Sequence, residues 1–204
     1  MRLFHTDRED RRPASPGERL PPGQSLTTTW PVLTYGAVPR VDRSTWQLHV
    51  SGAVHREATW SWDQFLALPR VCVRGDIHCV TRWSRLDNLW EGVAARTVLA
   101  RVRPSPRARF ALIHCEGGYS TSLELSDLGH ASVLFAWKHD GTDLAPEHGG
   151  PCRLLVPERY FWKSAKWVRR VELLEEDRPG LWERSGAHPR GNPWAEERDG
   201  WGRK

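Results

Sequence analysis

The chain has 204 residues, a formal net charge of +5, 27% charged residues and a mean hydropathy of −0.61. That length suits one large domain, long enough to bury a core. No run of about 18 apolar residues occurs, which excludes a transmembrane helix. The basic balance admits anionic ligands. No block of like charges and no nucleic-acid-binding motif supports nucleic acid as a partner.

Residues 1–24 are charged and carry four Pro and two Gly between positions 13 and 23. They read as a disordered N-terminal tail, followed by one domain over 25–204. No apolar h-region accompanies the early charges, and Arg11-Arg12 is followed by none. The expected location is therefore cytoplasmic. Residues 27–36 should be extended, since Trp30 precedes Pro31. Segment 46–52 alternates apolar and polar and predicts a strand. Segment 61–69 predicts a short helix, with Ser61 as N-cap, Gln64 completing a capping box and Pro69 as stop.

Segment 71–79 predicts a strand with Gly75 as a bulge. Residues 88–93 lead to a helical turn or two over 97–102. Segment 109–115 predicts a strand ending in a Glu-Gly-Gly turn, followed by a strand over 119–125 and a short helix over 125–128. Strands are expected over 132–137, 151–157 and 168–174, with a tight turn at 141–144. Beyond Glu175 the chain should wrap the surface. Short strands with few helices make the fold class α+β.

Of four cysteines, Cys72, Cys79, Cys115 and Cys152, none forms a CxxC pair, which argues against a zinc ribbon. Cys79 alone reads as a buried small hydrophobe. Arg82 and Arg85 lie close in sequence and would favour its thiolate, the form that attacks or binds metal. Lys163, Ser164 and Lys166 have the make-up of an anion-binding turn. Arg153, beside an apolar run, needs a partner if buried: a ligand phosphate, Glu147 or Glu172. The 12 Trp suit either an aromatic-lined cleft or large core plugs.

The stretch His78-Cys79-Val80-Thr81-Arg82-Trp83-Ser84, with Trp90-Glu91-Gly92-Val93, resembles the molybdenum-ligand segment of the sulfite oxidase superfamily. The stretch from His148-Gly149-Gly150-Pro151-Cys152-Arg153 through Tyr160-Phe161-Trp162-Lys163-Ser164-Ala165-Lys166 resembles its pterin-binding segment. The order and spacing match across about residues 26–194. The resemblance is strongest to the single-domain bacterial branch, which includes the catalytic subunits of molybdopterin methionine-sulfoxide reductases.

The resemblance implies a mixed-sheet molybdopterin-binding domain and a molybdenum–molybdopterin cofactor, with Cys79 as the protein's metal ligand. It implies cofactor contacts from Leu33, Thr34, Cys115, His148, Arg153, Ser164, Ala165 and Lys166, with backbone amides serving in the 164–166 turn. Arg82, Arg85 and Trp83 would line the mouth. The activity implied is two-electron oxygen-atom transfer on a small molecule such as a sulfoxide, an N-oxide or a sulfite-like compound. The sequence carries no haem, flavin or iron–sulfur motif, so a separate electron-transfer partner is implied. The expected absence of a dimerisation domain and an export signal weighs against sulfite itself and against periplasmic repair. Two other readings stand beside this one: a non-catalytic binding module of the same fold, and a zinc protein using some of Cys79, Cys115, Cys152, His78, His114 and His148.

Overall fold

The computed structural model describes residues 15–200. Two mixed sheets carry the fold. In the first, β1 (Ser25–Leu26), β5 (Trp83–Ala94), β8 (Leu134–His139) and β10 (Arg153–Leu155) lie in that order. Here β4 (Arg70–His78) also pairs with β5, and β9 (Thr142–Asp143) with β8. The second sheet has the order β3 (Ala58–Ser61), β2 (Gln47–Gly52), β11 (Val168–Leu174), β6 (Phe110–Cys115) and β7 (Ser120–Glu124). Both sheets mix parallel and antiparallel pairs: β11 runs parallel to β2 and antiparallel to β6.

The helices are short: α1 (Trp62–Leu66), α2 (Ala95–Val102), α3 (Leu125–Leu128) and α4 (Leu181–Arg184). No helix among the described residues is long and apolar enough to cross a membrane. The capping box at Ser61 is present, the Ser61 hydroxyl accepting from the Gln64 amide at 3.3 Å. This satisfies a donor the first helical turn leaves unpaired.

Strand alternation sets the core. In β2, Leu48 and Val50 are fully buried, and in β11 so are Val168, Val171 and Leu173. They join Trp46, Phe65, Val98, Ile113 and Phe135 in the main cluster. Each such side chain contributes about 1.5–3 kcal/mol by leaving water. A smaller cluster around Ile77, Trp90, Leu134 and Leu155 lies in the first sheet.

Two expectations differ from the structure. The first part of the expected tail, residues 1–14, lies outside the described residues. Residues 15–24 are not a loose tail. Pro16–Arg19 forms a 3-10 turn, Arg19 pairs with Asp76 on β4 and with Asp87, and Pro21 is buried. The ion pairs and the β1–β5 ladder anchor a segment whose composition alone suggests disorder. Residues 88–93 are not a lead-in but part of the 12-residue strand β5. Polar Asn88 hides that strand in the sequence. Its side chain is buried and donates to the carbonyls of Gly75 and Arg85, where β4 bulges.

Candidate functional site

Cys79 opens the turn that joins β4 to β5. The Cys79 amide donates to the Trp83 carbonyl at 2.9 Å, and the Arg82 amide to the Cys79 carbonyl at 3.1 Å. Arg82 takes φ 72°, the left-handed conformation that completes this four-residue reversal. Gln24, just before β1, donates from Nε2 to the Cys79 carbonyl at 3.0 Å. The backbone is therefore fixed on both sides of the thiol. Cys79 is buried, with its Sγ 3.1 Å from the Thr81 hydroxyl. Next to it, His78 bonds the Ser84 hydroxyl at 2.8 Å, and burial pushes its pKa down to about 4.

Cys79 faces a cavity of about 440 Å³. Leu33, Thr34, His148, Arg153, Ser164, Ala165 and Lys166 line the same space. Two segments some 70 residues apart in the chain thus meet across one cavity. Five of the twelve tryptophans line it, Trp30, Trp83, Trp162, Trp167 and Trp182, so the aromatic-cleft use holds for these. Trp46, Trp62 and Trp90 serve as core plugs.

Part of the cavity wall is cationic. Arg153 is 1% exposed, yet among the described residues it pairs with no carboxylate, only with carbonyls. Its Nη1 donates to the His148 carbonyl at 2.8 Å and its Nη2 to the Ser164 carbonyl at 2.6 Å. The guanidinium lies 4.2 Å from the Phe161 ring centroid. Burial pushes its pKa down to about 9. Neither Glu147 nor Glu172 supplies the counter-charge: Glu172 is taken by His114 and Arg178. Lys166 donates to the Glu147 carbonyl at 2.7 Å, with its pKa pushed down to about 8 by burial and then by Arg153. His148 stacks on Trp30 at 3.8 Å between centroids and is held neutral by burial and by Arg153. A buried guanidinium satisfied only by carbonyl dipoles retains its charge and attracts an anion.

Gly149 makes this arrangement possible. Its φ is 102°, and a Cβ there would lie 3.1 Å from the Arg153 Cβ and 3.0 Å from the Lys166 Cβ. Only glycine lets the backbone pass between the two cations.

Several expected site residues sit elsewhere. Arg85 does not line the cavity. Its guanidinium donates to Asn88 and to Asp140, and lies 2.8 Å from His139 Nε2, so it is consumed between β5 and β8. Arg82 is exposed and does not line the cavity either. It sits at the turn beside Cys79, but its guanidinium lies next to Gly23 and Glu196 outside the cavity lining. Cys115 lies behind the wall, its thiol kept protonated by burial. The amides of Ser164 and Ala165 already donate to the carbonyls of Phe161 and Lys163, so they are not open donors. Lys163 is wholly buried and paired with Glu183, which removes it from any anion site.

Among the cavity residues that the sequence did not point to is one cation. Arg198, on the polar C-terminal segment, lines the cavity beside Cys79 and donates from Nη1 to the Val80 carbonyl at 2.6 Å. No periodicity or motif marks it.

No group of three or more His, Cys, Asp or Glu able to hold a metal occurs among the described residues. The zinc reading therefore has no ligand set there. A single buried thiol facing two uncompensated cations across aromatic walls instead fits a metal that arrives with its own sulfur ligands and a phosphate.

A basic, aromatic-walled cavity of this size suits a bound anionic cofactor. The chain belongs to the oxidoreductase molybdopterin binding domain family, whose match spans residues 35–182. The cofactor of this family's domain is molybdopterin. The chain is 44% identical to the "Uncharacterized oxidoreductase YuiH" of Bacillus subtilis, over 90% of this chain and 93% of that protein. It is 27% identical to the "Protein-methionine-sulfoxide reductase catalytic subunit MsrP" of Gluconobacter oxydans, over 68% of this chain and 50% of the relative. Among solved structures, the sulfane dehydrogenase SoxCD of Paracoccus pantotrophus shares the fold, with a TM-score of 0.64. That likeness covers 73% of this chain and 42% of that one at 18% identity.

Proposed function

We propose that this protein is a molybdopterin-dependent oxidoreductase that moves an oxygen atom to or from a small sulfoxide, N-oxide or sulfite-like substrate, with Cys79 as the protein's ligand to molybdenum. The observation that carries the reading is the meeting, in one cavity, of the Cys79 thiol with Arg153 and Lys166, two cations without carboxylate partners among the described residues. The relatives described as oxidoreductase and as protein-methionine-sulfoxide reductase support the reaction class.

When bound, the molybdenum pterin supplies a two-electron couple able to give or take an oxygen atom. The chain's own residues do the rest. Arg153 and Lys166 would hold the cofactor phosphate through charge-assisted hydrogen bonds, and its negative charge would offset the cost of burying the two cations. His148, stacked on Trp30, offers a flat neutral surface to the pterin. Leu33, Thr34, Ser164 and Ala165, which line the same cavity, would pack against it. The turn at Cys79, fixed by Trp83, Arg82 and Gln24, would hold the Cys79 sulfur in place for the metal. The electrons come from or go to a separate carrier.

The test is metal and pterin analysis of protein made in a host that synthesises the cofactor. Wild type should carry stoichiometric molybdenum, and Cys79→Ser should lose it. Wild type from such a host without molybdenum would overturn the reading. A panel of S- and N-oxides with a dye electron donor then separates the catalytic reading from the non-catalytic module: failure to turn over any of them favours the module.

A further inference from the structure

Part of the cavity wall is a strap that belongs to neither sheet nor helix. Pro31, Leu33, Thr34 and Tyr35 line the cavity, and residues 31–40 run without regular structure between two anchors. At one end Trp30 stacks on His148 with 3.8 Å between ring centroids and meets Trp90 edge-on at 5.4 Å. At the other end Val41 packs on the main core cluster. Between the anchors the strap is tied down by little. Among the described residues, no backbone N–H or C=O of residues 31–40 bonds to the rest of the protein. The Gly36 carbonyl accepts from the Thr34 hydroxyl at 3.2 Å, a bond within the strap itself. The sheets beside it are held by ladders of backbone bonds, so the strap is a weakly restrained wall.

Its side chains are seated as loosely as its backbone. Val32, Leu33, Tyr35 and Val38 are between 41% and 51% exposed. A run of half-exposed apolar side chains marks a surface with apolar contact still to make. Gly36 turns the tip at φ 71°, and no atom lies within 4 Å of the place a Cβ would take. That position calls for backbone freedom rather than close packing. The tip meets the body of the protein where the Tyr35 ring stands edge-on to Trp182, with 6.1 Å between centroids and 82° between planes. Trp182 sits on α4, which Glu183 fixes to the domain through Lys163 and Thr121. One ring of the contact is therefore held and the other is free to leave, which makes a weak, reversible latch.

We infer that residues 31–40 are the entrance lid of the cofactor cavity, latched by Tyr35 on Trp182: the strap lifts between its two anchors to admit molybdopterin, and the bound pterin holds it down. This rests on the proposed function, in which the cofactor occupies that cavity. The need for a lid comes from the depth of the site. Arg153 is buried, and the Trp30 ring centroid lies 5.5 Å from its guanidinium carbon. A phosphate that reaches this guanidinium has to displace part of the wall. Lifting residues 31–40 breaks no backbone hydrogen bond to the rest of the described protein. It does expose the buried halves of Leu33 and Tyr35, a cost that contact with the pterin offsets on closure.

The test is limited proteolysis of the full-length protein with chymotrypsin, which cuts the lifted strap after Leu33 and Tyr35, in cofactor-free and molybdopterin-loaded forms. Cofactor-free wild type should be cut in the strap, and loading should slow that cut by about tenfold or more while cuts elsewhere slow less. Trp182→Ala removes the latch. It should speed the strap cut in cofactor-free protein by about threefold or more, as loss of an edge-on aromatic pair allows. It should speed the uptake of free molybdopterin, read from the fluorescence of its oxidised pterin, by a similar factor. Trp182→Phe keeps an aromatic ring at the latch and should behave as wild type. Equal strap cleavage in the free and loaded forms, or uptake unchanged in Trp182→Ala, would overturn the inference. Faster cleavage throughout the chain of Trp182→Ala with a lowered melting temperature marks general loosening and also overturns it. Wild type that takes up no molybdopterin sinks the proposed function itself, whereas uptake with an indifferent strap sinks the lid alone.

Discussion

Replacing Lys166 by Met tests whether the cationic end of the cavity is built for an anion. Burial and the nearby Arg153 push the Lys166 pKa from 10.5 to about 8. In cofactor-free protein below pH 8, Lys166 is protonated in both the folded and unfolded chain, and the folded state carries the full electrostatic penalty. Between pH 8 and 10.5 the unfolded chain binds more protons, so folding stability rises with pH until the penalty is gone. The gap corresponds to about 3 kcal/mol at most, and partial exposure cuts this to roughly half. Loss of the bond to the Glu147 carbonyl adds a pH-independent offset of about 1 kcal/mol in the opposite direction. The slope is therefore the diagnostic quantity. Urea unfolding of cofactor-free wild type and Lys166→Met, from pH 6.5 to 10, should show wild type gaining on the variant as pH rises above 8. Cofactor or high phosphate should flatten the difference, because an anion restores the charged lysine. Parallel curves for the two proteins without anion would refute the reasoning.

Gly149→Ala should lower stability by about 1–3 kcal/mol, since a Cβ at φ 102° meets the Cβ atoms of Arg153 and Lys166. Thermal unfolding measures this, and cofactor content should fall with it. His139 is 12% exposed, with its pKa pushed down to about 4 by burial. The unfolded chain binds its proton first, so stability should fall as pH drops from 6.5 to 4. The contribution is about 3 kcal/mol at most. His139→Asn should flatten that part of the acid limb in a stability–pH series, and an unchanged acid limb would count against the assignment.

The site was readable where its chemistry sits in continuous motifs. The runs 78–84 and 148–166 carry Cys79, His148, Arg153 and Lys166, and the fold brings them to one cavity. Strands with clean alternation, such as β2 and β11, were equally plain. Legibility failed where three-dimensional competition decides. Arg85 looks like a cysteine neighbour, but Asn88 and Asp140, one of them 55 residues away in the chain, capture it. Lys163 and Lys166 look equivalent in sequence, yet Glu183 neutralises only the first. Arg198 sits in a polar stretch with no period, and only the folding of the C-terminal segment over the cavity gives it meaning.

The central claim is that Cys79 binds the molybdenum. X-ray absorption at the molybdenum edge, on cofactor-loaded wild type and on whatever metal-bearing fraction Cys79→Ser retains, tests it most directly. The account predicts one fewer sulfur neighbour around the metal in the variant than in wild type. An identical sulfur shell in the two proteins would contradict it.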